Sequence, residues 1–453
     1  MAASGNSRES FTSDFERLRP GLPGSDSAWL GALRDEAMTA FADVGFPSVR
    51  DEDWKYTSVL PALRDRLDPV LPSEVRSGDG AIAGLLAVAG DAAASSQLAV
   101  FVDGCFQASR SKLDGVHGLR VSSLRDRLQQ DAGQLEPWLG KFLPVSVHGF
   151  AALNTAFLDD GAVIEIAEGA AIGDPIHVVH LSTSRERPFV THPRHVIVAG
   201  AGSSAMVVEH YVGASGARYL TNSVGEIVLG RGAVLGHVRV QDESRSAWHV
   251  ARLQVEQGAA STFVSHAFGF GAALSRTEIA VRLAGEEAGC DLNGLYAIDA
   301  SRHVDHHLMV DHASPRTTSR QLYKGILEDS ARGVFTGRVV VRPGSQKIKA
   351  TQSNPSLLLG RGAVAETRPQ LEIYADDVAC NHGASIGRLR EEALFYLLSR
   401  GIAPHEARRL MLSGFAAEVV EGVVPEALRA GLLETVAARV GGLGQDDGKG
   451  AAS

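Results

Sequence analysis

A mainly β fold, a parallel β-helix (β-solenoid) flanked by N-terminal and C-terminal helical regions, is the class this sequence predicts, and three observations predict it. From about residue 150 to 385, short runs rich in Val, Ile and Leu recur with almost no helical periodicity. Gly-Ala-type turns break those runs: Glu168-Gly169-Ala170, Gly200-Ala201-Gly202, Gly230-Arg231-Gly232-Ala233, Glu256-Gln257-Gly258-Ala259 and Gly360-Arg361-Gly362-Ala363. Glycines 169, 202, 232 and 258 lie 33, 30 and 26 residues apart, too irregular for a strict repeat but suited to the coils of a solenoid. Finally, 49 glycines in 453 residues call for many tight turns, while Asn-Gly hairpin turns are scarce, which counts against a β-sandwich.

Residues 1–150 read as a mixed, largely helical region. Ala28 to Met38 has helical apolar spacing, with Ser27 as N-cap and Gly45 and Pro47 as the stop. Asp103-Gly104 between apolar runs signals a hairpin, which makes Cys105 a turn-edge packing residue. Residues 151–387 are the solenoid. Residues 388–440 are helical: Glu391 to Leu398 stops at Gly401, Pro404 opens a second helix, and Pro425 opens a third that runs to about Val440. The tail, 441–453, has a Gly, Asp and Lys composition that predicts disorder.

The net charge is -9 with no run of basic residues, which argues against nucleic acid or anionic membrane as the main partner. The polar N-terminus lacks the apolar core of a signal peptide, no stretch reaches the apolar length of a membrane span, and a cytoplasmic location is expected. Three cysteines, 105, 290 and 380, make no disulfide framework and no C-x-x-C pair, so reduced thiols are expected.

The most informative segment is Asp376-Asp377-Val378-Ala379-Cys380-Asn381-His382-Gly383-Ala384-Ser385. In an extended strand Cys380 and His382 point the same way, roughly 7 Å apart at about 3.4 Å rise per residue. Two soft or borderline ligands are half a site, because tetrahedral zinc or iron-sulfur coordination takes four. The remaining donors must come from another strand or another chain. Gly383 to Gly387 could cradle an anion, but a plain strand-to-helix turn is the simpler reading. In the second cluster, Arg302 to His312, His303, Asp305, His307 and Asp311 share one strand face and His306 and His312 the other. Neither face assembles three histidines, so polar residues hydrogen-bonded along a solenoid face, or a subunit contact, are expected rather than a metal site. No P-loop, G-x-S-x-G elbow or H-E-x-x-H motif occurs. A carbohydrate-active β-helix would need a close carboxylate pair, which Asp291, Asp299 and Asp305 do not clearly form.

Several long motifs in order resemble the SufB/SufD family of iron-sulfur cluster scaffold proteins. They are Trp54-Lys55-Tyr56-Thr57, Arg302-His303-Val304-Asp305-His306-His307, Thr318 to Gly325, Cys380 to Ser385, and Leu394 to Ile402. Ser385 stands where Thr is more usual. The resemblance implies a right-handed parallel β-helix and a C-terminal helical region that docks a separate SufC-type ABC ATPase. It also implies pairing with a paralogue at an interface where a transient iron-sulfur cluster forms, with His382, and Cys380 as second candidate, contributing ligands. Within the family the chain resembles the SufD-type branch. SufB-type chains carry thiols near the stretches like Tyr211 to Ala214 and Gln352 to Asn354, and Glu-His-Glu where this chain has Asn381-His382-Gly383. Persulfide acceptance from a cysteine desulfurase system would then belong to the partner, and this chain alone would be non-enzymatic. Reduced flavin is a further component the family suggests.

Leu394, Phe395, Leu398, Leu410, Met411 and Phe415 recur at mixed three- and four-residue spacings, more apolar surface than one helix face can bury against the solenoid. They are the candidates for docking the ATPase. Removal of everything after Gly387 is expected to leave the β-helix folded, since solenoid coils contact mainly their neighbours. Two other identities stay open on the sequence: a SufB-type scaffold subunit, and a structural homodimer joined through the solenoid edge.

Overall fold

The computed structural model describes residues 2–71, 75, 79–90, 95–143 and 145–443. Of the expected tail, 444–453 lie outside these; Gly441 ends the last helix and Leu443 is buried.

Two parallel sheets stack into one β-helix. The first sheet climbs from Ala162–Ile166 through Arg194–Ala199, Tyr219–Leu229, Trp248–Gln257, Leu274–Leu283, His303–His312 and Arg332–Val341 to Val364–Ile373. The second climbs from Gln97–Val102 through Ile176–Ser182, Ser204–Gly213, Val234–Asp242, Thr262–Gly269, Gly289–Ile298, Thr318–Leu327 and Ile348–Leu358 to Val378–Gly387. Each coil gives one strand to each sheet. The in-register pairs Trp248–Leu274 and Arg332–Val364 show how much the coils vary in length, which is why the glycine spacing is irregular. Gly169, Gly202 and Gly232 turn at φ of +69°, +64° and +67°, a conformation glycine adopts without steric cost.

The region before residue 150 contributes α1 (Ala2–Leu18), α2 (Ala28–Val44), α3 (Asp79–Val88), α4 (Leu124–Asp131) and α5 (Gly149–Ala156). Gly45 caps α2 at φ +70°, whereas Ser27 precedes it without a side-chain capping bond. Phe11, Phe41, Phe150 and Phe157 pack on Leu220, Val224 and Val250 of the first sheet's outer face. Strands from this region also enter the solenoid. Gln97–Val102 pairs parallel with Ile176–Ser182, and Leu119–Ser123 pairs antiparallel with Ala162–Ile166, which covers the N-terminal sheet edges. The Asp103-Gly104 turn joins Gln97–Val102 to Cys105–Phe106, as the hairpin signal predicts.

At the other end come α6 (Glu391–Ser399), α7 (Pro404–Val420) and α8 (Glu426–Gly441). Leu412, Ala416, Val419, Leu428, Leu432 and Val436 of α7 and α8 pack on Val208, Val238, Phe268, Leu295 and Ile326 of the second sheet's outer face. These helices therefore lie along the flank of the solenoid. Both outer faces carry helices, so strands such as Val234–Asp242 are buried on both sides.

Candidate functional site

The C-terminal end of the solenoid is its open end. Val378–Gly387 is the last strand of its sheet and pairs on one side only, with Ile348–Leu358. Cys380 lies opposite Ala350 and His382 opposite Gln352. Ala350 and Gln352 are buried in the interior, so Cys380 and His382 project from the inward-facing side of the final rung, on one face as alternation requires. Residues Gly383 to Gly387 continue this ladder opposite Ser353 to Leu357. They are strand rather than a strand-to-helix turn or an anion cradle, because the preceding rung takes up their backbone groups.

The two side chains differ in environment. Cys380 is half-buried beside Val339, Val341, Ile348 and Ala350. Burial pushes its thiol above the ordinary value, and a backbone hydrogen bond at Ala350 works in the other direction. A thiol kept protonated is a poorer ligand at neutral pH than an exposed imidazole. His382 is exposed. Among the described residues, no group of three or more His, Cys, Asp or Glu side chains could hold a metal ion. The rung thus offers two donors at an open edge. The other two thiols are buried: Cys105 is pushed up to about 12 and Cys290 further, each chiefly by desolvation.

Behind this rung Gln352 Nε2 donates to Gln321 Oε1 at 2.8 Å, and Asn354 Nδ2 donates to the Tyr323 carbonyl at 2.8 Å.

The histidine-rich strand His303–His312 divides by parity as expected. Outward, Thr57 Oγ1 donates to Asp305 at 2.5 Å and lies 2.9 Å from His303 Nε2. Arg276 pairs with both Asp305 and Glu278 and lies 3.8 Å from the centre of the Trp54 ring. Inward, His306 lies between Tyr296 and Tyr323, and His312 bonds to Thr317 and Ser319. Burial lowers His303, His306 and His312 to about 4, so they stay neutral. The cluster fastens the Trp54–Thr57 segment to the solenoid. Asp299 is bound by Arg302 and Arg245, and Asp305 by Arg276, so these carboxylates are structural.

On the C-terminal helices, Phe395 is 72% exposed, Tyr396 58% and Leu410 45%, and α6 buries no residue. Leu398 is exposed as well, while Leu394 and Met411 are half-buried. Phe415 faces the solenoid instead. Lys324 Nζ lies 4.5 Å from its ring centre, donates to its carbonyl at 2.9 Å, and pairs with Glu418.

Reading the sequence misses the polar half of the interior: His180, His195, Glu209, Tyr211, His237 and Arg239. The signal was the alternation in Leu235-Gly236-His237-Val238-Arg239-Val240-Gln241, where His, Arg and Gln share one face. That face turns inward because Val238 and Val240 meet α7 and α8.

With this geometry in hand, comparison with known proteins is specific. The family description "SUF system FeS cluster assembly, SufBD core domain" matches residues 180–415, and "SufBD protein N-terminal region" matches 5–178. The chain is 31% identical over 401 residues to the iron-sulfur cluster assembly protein SufD of Escherichia coli, covering 88% of this chain and 90% of that protein. It is 28% identical over 435 residues to an iron-sulfur cluster assembly SufBD family protein of Synechocystis, covering 92% and 93%. It is 31% identical over 413 residues to the chloroplastic protein ABCI7 of Arabidopsis thaliana, covering 88% and 83%. A helix-flanked β-helix ending in an open Cys380–His382 rung, matched over most of its length by these relatives, belongs to the SufBD family of iron-sulfur cluster assembly proteins.

Proposed function

We propose that this chain is the SufD-type half of a scaffold on which iron-sulfur clusters are built de novo, with His382 as its principal ligand and Cys380 as an auxiliary one. The observation that carries the reading is the final rung: two donors side by side on an unpaired sheet edge, with no others converging from the same chain among the described residues. Such a half-site is completed by a SufB-type paralogue docking at that edge. The cluster is the cargo of the reaction, and its remaining ligands and the persulfide sulfur come from the partner.

The exposed aromatic surface of α6, centred on Phe395 and Tyr396, is the place where a SufC-type ATPase docks. The pairing of Lys324 with Phe415 and Glu418 then connects α7 to the second sheet, so that movement of the helices on nucleotide binding is transmitted to the solenoid. Reduced flavin enters this reading as a component of the assembled complex rather than of this chain alone. The groove of about 500 Å³ beside Trp54 has its arginines, Arg252 and Arg338, already paired with Glu278 and Glu372.

The test is anaerobic purification of the chain alone and of the chain co-expressed with a SufB-type scaffold and a SufC-type ATPase. The complex should show charge-transfer absorption and acid-labile sulfide, and the single chain neither. A stoichiometric cluster on the single chain would sink the half-site reading.

A further inference from the structure

The interior of the solenoid contains a polar seam that stops short of closing. In the second sheet, inward side chains of successive rungs align in register as Glu209, Arg239, Ala267, Gly294 and Tyr323. At the N-terminal end of this row the polar groups are connected. His180 Nε2 lies 3.0 Å from His195 Nε2, and Tyr211 Oη lies 2.8 Å from Ser223 Oγ and donates to Glu209 at 3.1 Å. Glu209 accepts from Arg239 Nε at 3.0 Å and lies 3.2 Å from His237 Nε2, whose other nitrogen is 3.1 Å from Ser265 Oγ.

Past Arg239 the connection is broken. Ala267 and Gly294 are the only side chains of the row before Tyr323, whose ring leans over Gly294 so closely that a Cβ there would lie 2.2 Å from it. Around this stretch, Arg239 Nη1, both ring nitrogens of His306 and Tyr323 Oη have no protein partner. Arg239 and His306 are 3% exposed and Tyr323 0%, and the His306 and Tyr323 rings are 4.9 Å apart. Folded interiors pair nearly all such atoms, so four unpaired ones together call for a guest.

The chemistry of the atoms selects the guest. Arg239 and Tyr323 donate, and a neutral imidazole donates at one nitrogen and accepts at the other. An anion would meet the Arg239 charge, but Glu209 already neutralises it. An apolar guest would leave every donor unmade. Water, which donates and accepts, matches all of them.

We propose that the space between Arg239 and the His306–Tyr323 pair is a buried water site, whose water completes a polar seam along the solenoid axis. The seam continues in the adjacent row through Gln321 and Gln352, directly behind His382. It places buried water at the level of Tyr323, two rungs before the strand of the candidate ligand.

Tyr323→Phe tests this by the sign of its effect on the full-length chain. If the hydroxyl bonds to buried water, its removal lowers the thermal midpoint, by about 1–3 °C for a chain of this size. If the space is dry, removal of an unpaired hydroxyl raises the midpoint or leaves it unchanged, and the proposal fails. A high-resolution crystal structure decides the matter if the variant does not fold. Water within hydrogen-bond distance of Arg239 Nη1 and either His306 or Tyr323 is expected, and a dry space or a bound anion there would overturn the assignment.

Discussion

At the scale of single residues, exposure separates His382 from Cys380. An exposed imidazole can be removed without disturbing the core, whereas the Cys380 sulfur packs on Val341 and Ala350 and carries a raised thiol. Cys380→Ser should therefore weaken cluster build-up on the assembled scaffold by less than tenfold, measured as iron and acid-labile sulfide per complex. Loss as complete as that from removal of the imidazole would promote Cys380 to principal ligand. A different residue-scale test concerns the N-terminal rungs, where Arg194 and Glu226 form an ion pair with both side chains essentially inaccessible. Arg194 also donates to Asn154 and Thr155, and Glu226 accepts from the Gly140 amide. Arg194→Met would strand a buried carboxylate and should cost about 3–5 kcal/mol in a denaturant titration. A cost under about 1 kcal/mol would show that water reaches the pair.

At the scale of elements, the C-terminal helices play two parts. α6 presents Phe395 and Tyr396 to solvent, while α7 and α8 cover Val208, Val238, Phe268 and Ile326. Cutting the chain after Gly387 would uncover that apolar flank, at about 1.5–3 kcal/mol for each large side chain returned to water. The truncated chain should aggregate, which light scattering would detect, contrary to the expectation that solenoid coils need only one another. Phe395→Asp is the cleaner probe. It should leave the circular dichroism spectrum unchanged and abolish capture by the ATPase, and undiminished capture would remove α6 from the docking surface. What the sequence made legible here follows from local signals. Gly401 at φ +82° and Pro404 at the first helical position mark the ends of α6 and the start of α7 as read. The turn glycines mark the coils, and strand alternation places Cys380 and His382 on one face. Which flank α7 and α8 would cover depends on contacts 90 or more residues apart, such as Lys324 with Phe415, and no window of sequence contains them. The polar seam was hidden for the same reason, since only the helices on the outer face reveal that Val238 and Val240 point out.

At the scale of the whole molecule, buried histidines set the response to acid. Burial lowers His148, His195, His266, His303, His306 and His312 to about 4, and His192 and His210 to about 3. In the unfolded chain each titrates near 6.5. Between these values the unfolded state binds more protons, so stability is full above about pH 6.5 and is lost as pH falls, at up to about 1.4 kcal/mol per pH unit for each histidine. Asp160, raised to about 6 by burial, opposes this as a single group, since its contribution is lost as pH rises. The thermal midpoint should fall steeply between about pH 6.5 and 5 in a calorimetric series, and a flat profile would show that the histidines are hydrated and freely charged. The same molecule-wide logic governs function. A solenoid closed by strands at its N-terminal end and open at its C-terminal end leaves Cys380 and His382 on an unpaired edge that a second chain can reach. The most direct measurement is cluster reconstitution on the anaerobically purified scaffold–ATPase complex carrying His382→Ala, with complex assembly checked by size-exclusion chromatography. The complex should assemble normally and hold less than a tenth of the wild-type iron and acid-labile sulfide, whereas wild-type cluster content on an intact complex would contradict the assignment of His382.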